Sequence, residues 1–128
     1  LYIEECCNSY LAILHDSTIT IKDKIDALFT SIGDEHSNMQ YYDFFHRVEN
    51  EELHEQLSIK LCKYMYPHLL EAVKKAIAAK EIYIENPEAL ISFIIYGQVG
   101  LLSKSNIDHH EVAKLLNQYV NQLMKFNP

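Results

Sequence analysis

Residues 86–102 read NPEALISFIIYGQVGLL, and residues 107–124 read IDHHEVAKLLNQYVNQLM. Asn86, Pro87 and Glu88 are typical of a helix start, with a side-chain acceptor at the N-cap, Pro at the first helical position and an acid near the positive helix end. The uncharged run that follows is apolar nearly all round, so a helix formed by it needs cover on two sides. This run is shorter than the ~18 residues expected of a membrane span, and no membrane contact is predicted.

The second stretch predicts another helix directly after the first. Asp108 and Glu111 match the capping box that starts a helix. Apolar residues then recur at helical spacing, at Val112, Leu115, Leu116, Tyr119, Val120, Leu123 and Met124. Two copies of a chain use such a helix pair to form a shared four-helix bundle, so we predict a homodimer. The predicted dimer interface consists of Leu90, Ile94, Gly97, Leu101, Val112, Leu116, Tyr119, Val120 and Leu123.

The rest of the chain also has helical patterning. Helices are predicted over residues 2–15, 21–32, 37–48 and 50–80. Pro67 lies inside the long fourth helix and predicts a bend there, because it removes one backbone donor. With only three Gly and three Pro in 128 residues, we expect one all-α domain of five to six helices.

Composition restricts the classes of partner and compartment. The net charge is −7 and the basic residues are scattered, which argues against binding of a phosphate backbone by this chain alone. Cys6, Cys7 and Cys62 do not have the spacing of a disulfide framework, so a reducing cytoplasm is expected. The first residues lack the basic start of a signal peptide.

The segment from residue 52 to residue 102 resembles the C-terminal half of tetracycline-repressor (TetR) family transcriptional regulators. The motifs that carry the resemblance are, in order, MYPHLL at 65–70, AAKE at 78–81, IENPEAL at 84–90, and Gly97 and Gly100 in the next helix. The chain departs from the family pattern in having Lys80 where Gly is common and Asn86 where Asp is common. The resemblance implies a bacterial effector-binding and dimerisation domain. Leu1 would then fall at the start of the fourth family helix.

The resemblance also implies how such a domain works. Family members bind DNA through an N-terminal helix-turn-helix domain, which is missing from this chain, so DNA contact would occur only through that domain. The following helices enclose an effector cavity, and the effector re-angles the first of them.

Inward-facing aromatic residues give the candidate cavity lining. The predicted ligand-binding residues are Tyr10, Phe29, Tyr41, Phe45, Cys62, Tyr66 and Tyr96. Plain core packing is the alternative for each of them. The expected effector is small, partly apolar and neutral or cationic, because acids outnumber bases on these helices, at Glu4, Glu5, Asp43 and Glu55.

Other chemistry has weaker support in the sequence. The three cysteines form a thiol sensor only if they are exposed beside positive charge, and inert buried thiols are the simpler interpretation. Glu51 and His54 form one copy of the Glu-x-x-His motif, which di-iron helical bundles need twice. His109 and His110 are adjacent in sequence, so their side chains diverge by about 100° on a helix. No metal, cofactor or catalytic residue is therefore predicted. The competing hypotheses are a small helical enzyme or metal-binding bundle, and a stand-alone helical interaction module.

Overall fold

The computed structural model describes residues 2–34, 51–102 and 108–125. All regular secondary structure in these ranges is helical, which confirms the all-α prediction. The elements are α1 (Tyr2–Leu14), α2 (Ile21–Asp34), α3 (Glu51–Ala78), α4 (Pro87–Gly97), the short α5 (Val99–Leu102) and α6 (His109–Met124). The helix predicted at 37–48 lies outside the described residues. No helix within the described ranges combines the length and apolar character needed to cross a bilayer.

The predicted start signals of the last two long helices are confirmed. Asn86 Oδ1 accepts a hydrogen bond of 3.0 Å from the amide of Ala89, one of the free donors in the first turn of α4. Asp108 Oδ1 accepts from the amides of His110 and Glu111 at 3.0 and 3.3 Å. Local side-chain chemistry therefore determines where both helices begin.

The N-terminus of α2 is capped both locally and from a distance. Thr20 Oγ1 accepts a hydrogen bond of 3.2 Å from the amide of Asp23. The amide of Ile21 donates to Glu81 Oε1 at 2.8 Å, and Glu81 lies just beyond the end of α3. This second bond joins two elements that are distant in sequence.

The long helix α3 runs without interruption through Pro67 and ends in a left-handed residue. Lys80 has φ of 62°, and the amide of Glu81 returns to the carbonyl of Ala76 at 2.9 Å. This is the Schellman arrangement that closes many helices, in which Gly is the usual left-handed residue. The lysine at this position therefore carries a conformational cost that glycine avoids.

Packing places α3 among α1, α2, α4 and α5, whereas α6 packs chiefly on α2. Asn121 of α6 donates to Asp26 of α2 at 3.4 Å across that contact. The two helices expected to pair, α4 and α6, thus make their largest contacts with different neighbours. The most deeply buried side chains are Cys7, Val73, Ile82, Ile91 and Met124, which belong to one hydrophobic core or lie beside it.

Candidate functional site

A cavity of about 170 Å³ lies between the helices, and all six described helices contribute side chains to its wall. Its wall is mostly aliphatic, and its polar or sulfur-bearing groups are Cys7, Tyr10, Ser58, Cys62, Met65, Gln98, His109 and Met124. Engineered cavities of about 150 Å³ with walls of this apolar kind take up a benzene-sized molecule. The cavity is therefore large enough for a small organic ligand.

Helical spacing explains why these residues meet. In α2 the wall residues follow the i, i+3, i+4, i+7 pattern of one helix face, at Ile25, Leu28, Phe29 and Ile32. In α1 they are Cys7 and Tyr10, which are three residues apart. The first helix is consequently part of the cavity wall.

The Cys62 thiol is an uncharged group of the cavity wall at neutral pH. This thiol donates a hydrogen bond of 3.2 Å to the carbonyl oxygen of Ile95. Burial raises the pKa of the Cys62 thiol to about 11, so the group is protonated at neutral pH. Cys7 is buried as well, and neither cysteine lies in a disulfide. These are the surroundings of inert thiols and not those of a redox sensor.

Gln98 lies at the point where α4 gives way to α5. Backbone hydrogen bonds fix Gln98 through both its amide and its carbonyl. The amide donates to the carbonyl of Tyr96, and the carbonyl accepts from the amides of Leu101 and Leu102 at 3.1 and 2.9 Å. Gln98 is one of the residues that line the cavity. Its Oε1 atom is shielded from solvent, and no donor in the described part of the chain reaches it. A buried acceptor of this kind requires an explanation, because most such atoms are hydrogen-bonded.

The structure brings together three of the seven predicted ligand-binding residues. Tyr10, Phe29 and Cys62 all form part of the cavity wall. Tyr66 and Tyr96 do not belong to this wall. The hydroxyl of Tyr66 donates to the carbonyl of Glu88 at 3.2 Å, and thereby ties α3 to α4.

Tyr96 lies on the exposed side of α4. Its neighbour Ile95 occupies the inward side, and consecutive residues on a helix diverge by about 100°. The remaining predicted residues, Tyr41 and Phe45, lie outside the described ranges.

Sequence reasoning missed Ser58, Gln98 and His109 as wall residues. From the sequence, His109 was considered only as a metal ligand that diverges from His110, but its side chain is only 8% exposed. The spacing of 4 residues to Ala113 and of 11 to Val120 places all three on the inward face of α6. That periodicity was the available signal. Gln98 offered only its place in an uncharged, apolar run.

The predicted dimer residues divide into two groups. Leu101, Tyr119 and Leu123 are about half exposed, and Gly97 is exposed. Val112 is half-buried, and Leu90, Ile94 and Leu116 are half-buried side chains that pack against the core.

Val120 requires a correction. It is 4% exposed and forms part of the cavity wall within one protomer. The reason is that α6 packs on α2 through the face that carries Val120, so this side chain is already covered within the protomer.

The acidic residues on which the expectation of a neutral or cationic effector was based do not lie on the described cavity wall. Glu4 and Glu55 are exposed and do not belong to the cavity wall, and Glu5 and Asp43 lie outside the described side chains. None of the described wall residues is Asp, Glu, Lys or Arg.

Ligand binding is the chemistry that this arrangement of side chains supports. The wall supplies van der Waals contact over an apolar surface and a few hydrogen-bonding groups. In the described part of the chain, His, Cys, Asp and Glu side chains do not cluster in a way that could hold a metal ion. No known protein family, curated protein or solved structure matches this chain.

Proposed function

We propose that this chain is the effector-binding and dimerisation domain of a bacterial, TetR-like transcriptional regulator. The observation that carries the proposal is the apolar cavity of about 170 Å³ whose wall includes the first helix. The resemblance of residues 52–102 to the C-terminal half of such regulators supports the same assignment. A regulator of this kind acts in the cytoplasm.

The proposed mechanism depends on α1. Cys7 and Tyr10 of this helix contact the cavity, and α1 packs on α3 and α2. A ligand that prefers one position of α1 shifts the equilibrium between positions of that helix. In the proposed regulator, a helix-turn-helix domain precedes α1, and its fit to DNA changes with the angle of the helix. The net charge of −7 accords with DNA contact by that other domain.

The proposed dimer uses the exposed face of α6. We call Leu115, Tyr119 and Leu123 the α6 stripe; these residues are 45%, 49% and 47% exposed. Successive members are four residues apart, so they form one apolar row on the helix surface. The opposite face of α6 is covered by α2. A second copy of the chain, related by a two-fold axis, would cover the row with its own α6.

Binding of a small apolar probe tests the cavity. Toluene should raise the melting temperature of the chain in proportion to the logarithm of its concentration, since it binds only the folded state. Ser58→Leu should abolish the effect because the new side chain occupies the cavity, whereas Ser9→Leu on the exposed side of α1 should leave it intact. A melting temperature unmoved by toluene would contradict effector binding. It would leave the small helical enzyme or metal-binding bundle and the stand-alone helical interaction module as the remaining hypotheses.

The assignment as a transcriptional regulator can be tested separately, from the coding sequence of the gene. We expect the coding sequence upstream of Leu1 to specify a basic helix-turn-helix segment, and the longer protein to bind duplex DNA with strong salt dependence. Residues 1–128 alone should not bind duplex DNA selectively, because their net charge is −7. A start codon immediately before Leu1, or selective DNA binding by residues 1–128, would contradict the assignment.

A further inference from the structure

A second exposed apolar surface runs along α4 and α5. Between residues 89 and 101, every exposed residue is glycine or carries an apolar or aromatic side chain. These residues are spaced at i, i+4, i+7, i+8, i+11 and i+12, so they form one side of a helix. Gln98 joins α4 to α5 with φ of −74° and ψ of −19°, close to helical values, so this side continues from one helix into the next. We call it the α4 face, and it consists of Ala89, Phe93, Tyr96, Gly97, Gly100 and Leu101.

We infer that a second copy of this chain docks on the α4 face, with the two copies of α4 antiparallel and crossing at Gly97. The inference rests on the proposed function for the existence of a dimer. It adds a contact surface to the α6 stripe and specifies which residues of the two copies meet.

The area of the α6 stripe indicates that a stable dimer needs a further surface. The three side chains of the stripe are about half exposed and together offer roughly 300 Å². A stable interface covers roughly 800 Å² on each partner. In the α4 face, Phe93 and Leu101 are 68% and 47% exposed, and they add an area of similar size. Because α5 packs on α6 within the protomer, the two surfaces lie on neighbouring elements.

Charge favours a second copy as the molecule that covers the α4 face. The chain has a net charge of −7, so two copies repel each other where charged surfaces meet. Residues 89–102 contain no Asp, Glu, Lys or Arg. Two acidic copies can therefore approach each other at this face, whereas a charged partner would find no side chain of opposite charge on it.

Gly97 and Gly100 are not explained by packing within the described part of the protomer. Apart from their own stretch of helix, no described atom lies within 4 Å of the place where a Cβ atom would stand at either position. Neither glycine has a positive φ. Glycine is a less favourable helix former than alanine, so these residues weaken the helix that contains them. The lack of a side chain does, however, allow the backbone of another helix to approach closely.

The positions of the exposed side chains specify the crossing point. Phe93 and Leu101 lie four residues to either side of Gly97. In an antiparallel crossing with a two-fold axis at Gly97, Phe93 of one copy meets Leu101 of the other, and the symmetry repeats the contact. Both exposed side chains are then covered, and the two glycines meet where the helices are closest.

Substitution of Gly97 tests the close approach of the helices. We expect Gly97→Leu to weaken the dimer by roughly tenfold to a hundredfold in sedimentation equilibrium, because the added side chain holds the helices apart. Ala12→Leu adds the same side chain at an exposed position of α1 and should leave the dissociation constant unchanged. A dimer as tight in Gly97→Leu as in the unaltered chain would overturn the inference.

Disulfide formation tests the crossing point and remains decisive if Gly97→Leu does not fold. Gly97→Cys places a thiol beside the axis in both copies, so oxidised glutathione should convert most of the dimer into a covalent dimer. Ala12→Cys, at the exposed position of α1, should form no more covalent dimer than the unaltered chain, which gives the background from the native cysteines. A dimer in which Gly97→Cys forms no more disulfide than Ala12→Cys would overturn the crossing at Gly97.

Failure of this inference can be distinguished from failure of the proposed function. If the dimer is broken by Leu115→Lys with Leu123→Lys but not by Gly97→Leu, the α6 stripe forms the dimer without the α4 face and this inference is wrong. If the unaltered chain is a monomer at micromolar concentration, the proposed dimer is wrong and the inference is wrong with it. Binding of toluene tests the cavity independently of both results.

Discussion

The carboxylate of Glu81 accepts a 2.8 Å hydrogen bond from the backbone amide of Ile21, which precedes it by 60 residues. The bond satisfies one of the donors that every helix leaves free in its first turn. Because Glu81 follows α3 directly, the bond also holds the start of α2 beside the end of α3. Since α2 supplies four residues of the cavity wall, this contact helps to position the site.

Removal of this carboxylate should weaken the fold. We expect Glu81→Ala to lower the free energy of unfolding by about 1–2 kcal/mol in urea titrations, because the amide of Ile21 loses its acceptor. Glu81→Gln retains an acceptor oxygen and should cost less. Glu85→Ala, at an exposed position four residues on, serves as the control and should change stability by less than about 0.5 kcal/mol. Equal effects at the two positions would show that the bond from Ile21 adds nothing to stability.

Lys80 is strained in the folded chain, and glycine should relieve it. We expect Lys80→Gly to be more stable than Lys80→Ala by about 1 kcal/mol, since φ of 62° is costly for residues that carry a Cβ atom. The alanine variant is the matched control because both substitutions remove the same lysine contacts. Thermal unfolding of the two variants measures the difference. An alanine variant as stable as the glycine variant would show that the left-handed conformation costs nothing here.

Burial of Cys62 predicts a loss of stability at high pH. The folded-state pKa is raised from 9.0 to about 11, so the unfolded chain releases the proton first as the pH rises. Stability from the protonated thiol is therefore fully present below pH 9 and is lost as the pH rises through about 11, by up to about 2 kcal/mol. Cys62→Ala removes this titration and should unfold with a flatter pH dependence. Identical pH dependence of the two proteins between pH 9 and pH 11 would refute the shift.

The α6 stripe should control the oligomeric state. The unaltered chain should be a dimer by light scattering at micromolar concentration, and Leu115→Lys with Leu123→Lys should make it a monomer by placing unpaired charges in an apolar contact. Gln118→Lys adds a charge to the same helix, rotated by about 100° from Tyr119, and should leave the dimer intact. A monomeric unaltered chain, or a dimer unaffected by the double substitution, would contradict the proposed interface.

The sequence predicted local structure well because its signals are local. The caps at Asn86 and Asp108 depend on hydrogen bonds that span two or three residues, and the structure contains both. The helical spacing of apolar residues could be identified equally well, because the residues of one apolar face recur within the helix itself. Phe29 and Cys62 could be placed on inward faces for this reason.

The sequence did not predict as well which element packs against the apolar face of each helix. The period of α6 showed that one side is apolar but not whether α2, α4 or a second copy covers it. Val120 was assigned to the dimer for this reason, although it faces α2 and the cavity. Gln98 could not be assigned to the cavity wall from the sequence, because its neighbours along the chain do not show which helices pack around it. Glu81 is similar, since its partner is far away in sequence.

The measurement that tests the central claim most directly is an amide NMR titration of the folded chain with benzyl alcohol. We expect saturable shifts at Cys7 and Tyr10 of α1 and at Cys62 of α3 that follow one dissociation constant, because all three residues contact the same cavity. Ser58→Leu should remove these shifts. Absence of saturable shifts at these residues, or shifts confined to the exposed α6 stripe, would contradict an effector cavity that acts on the first helix.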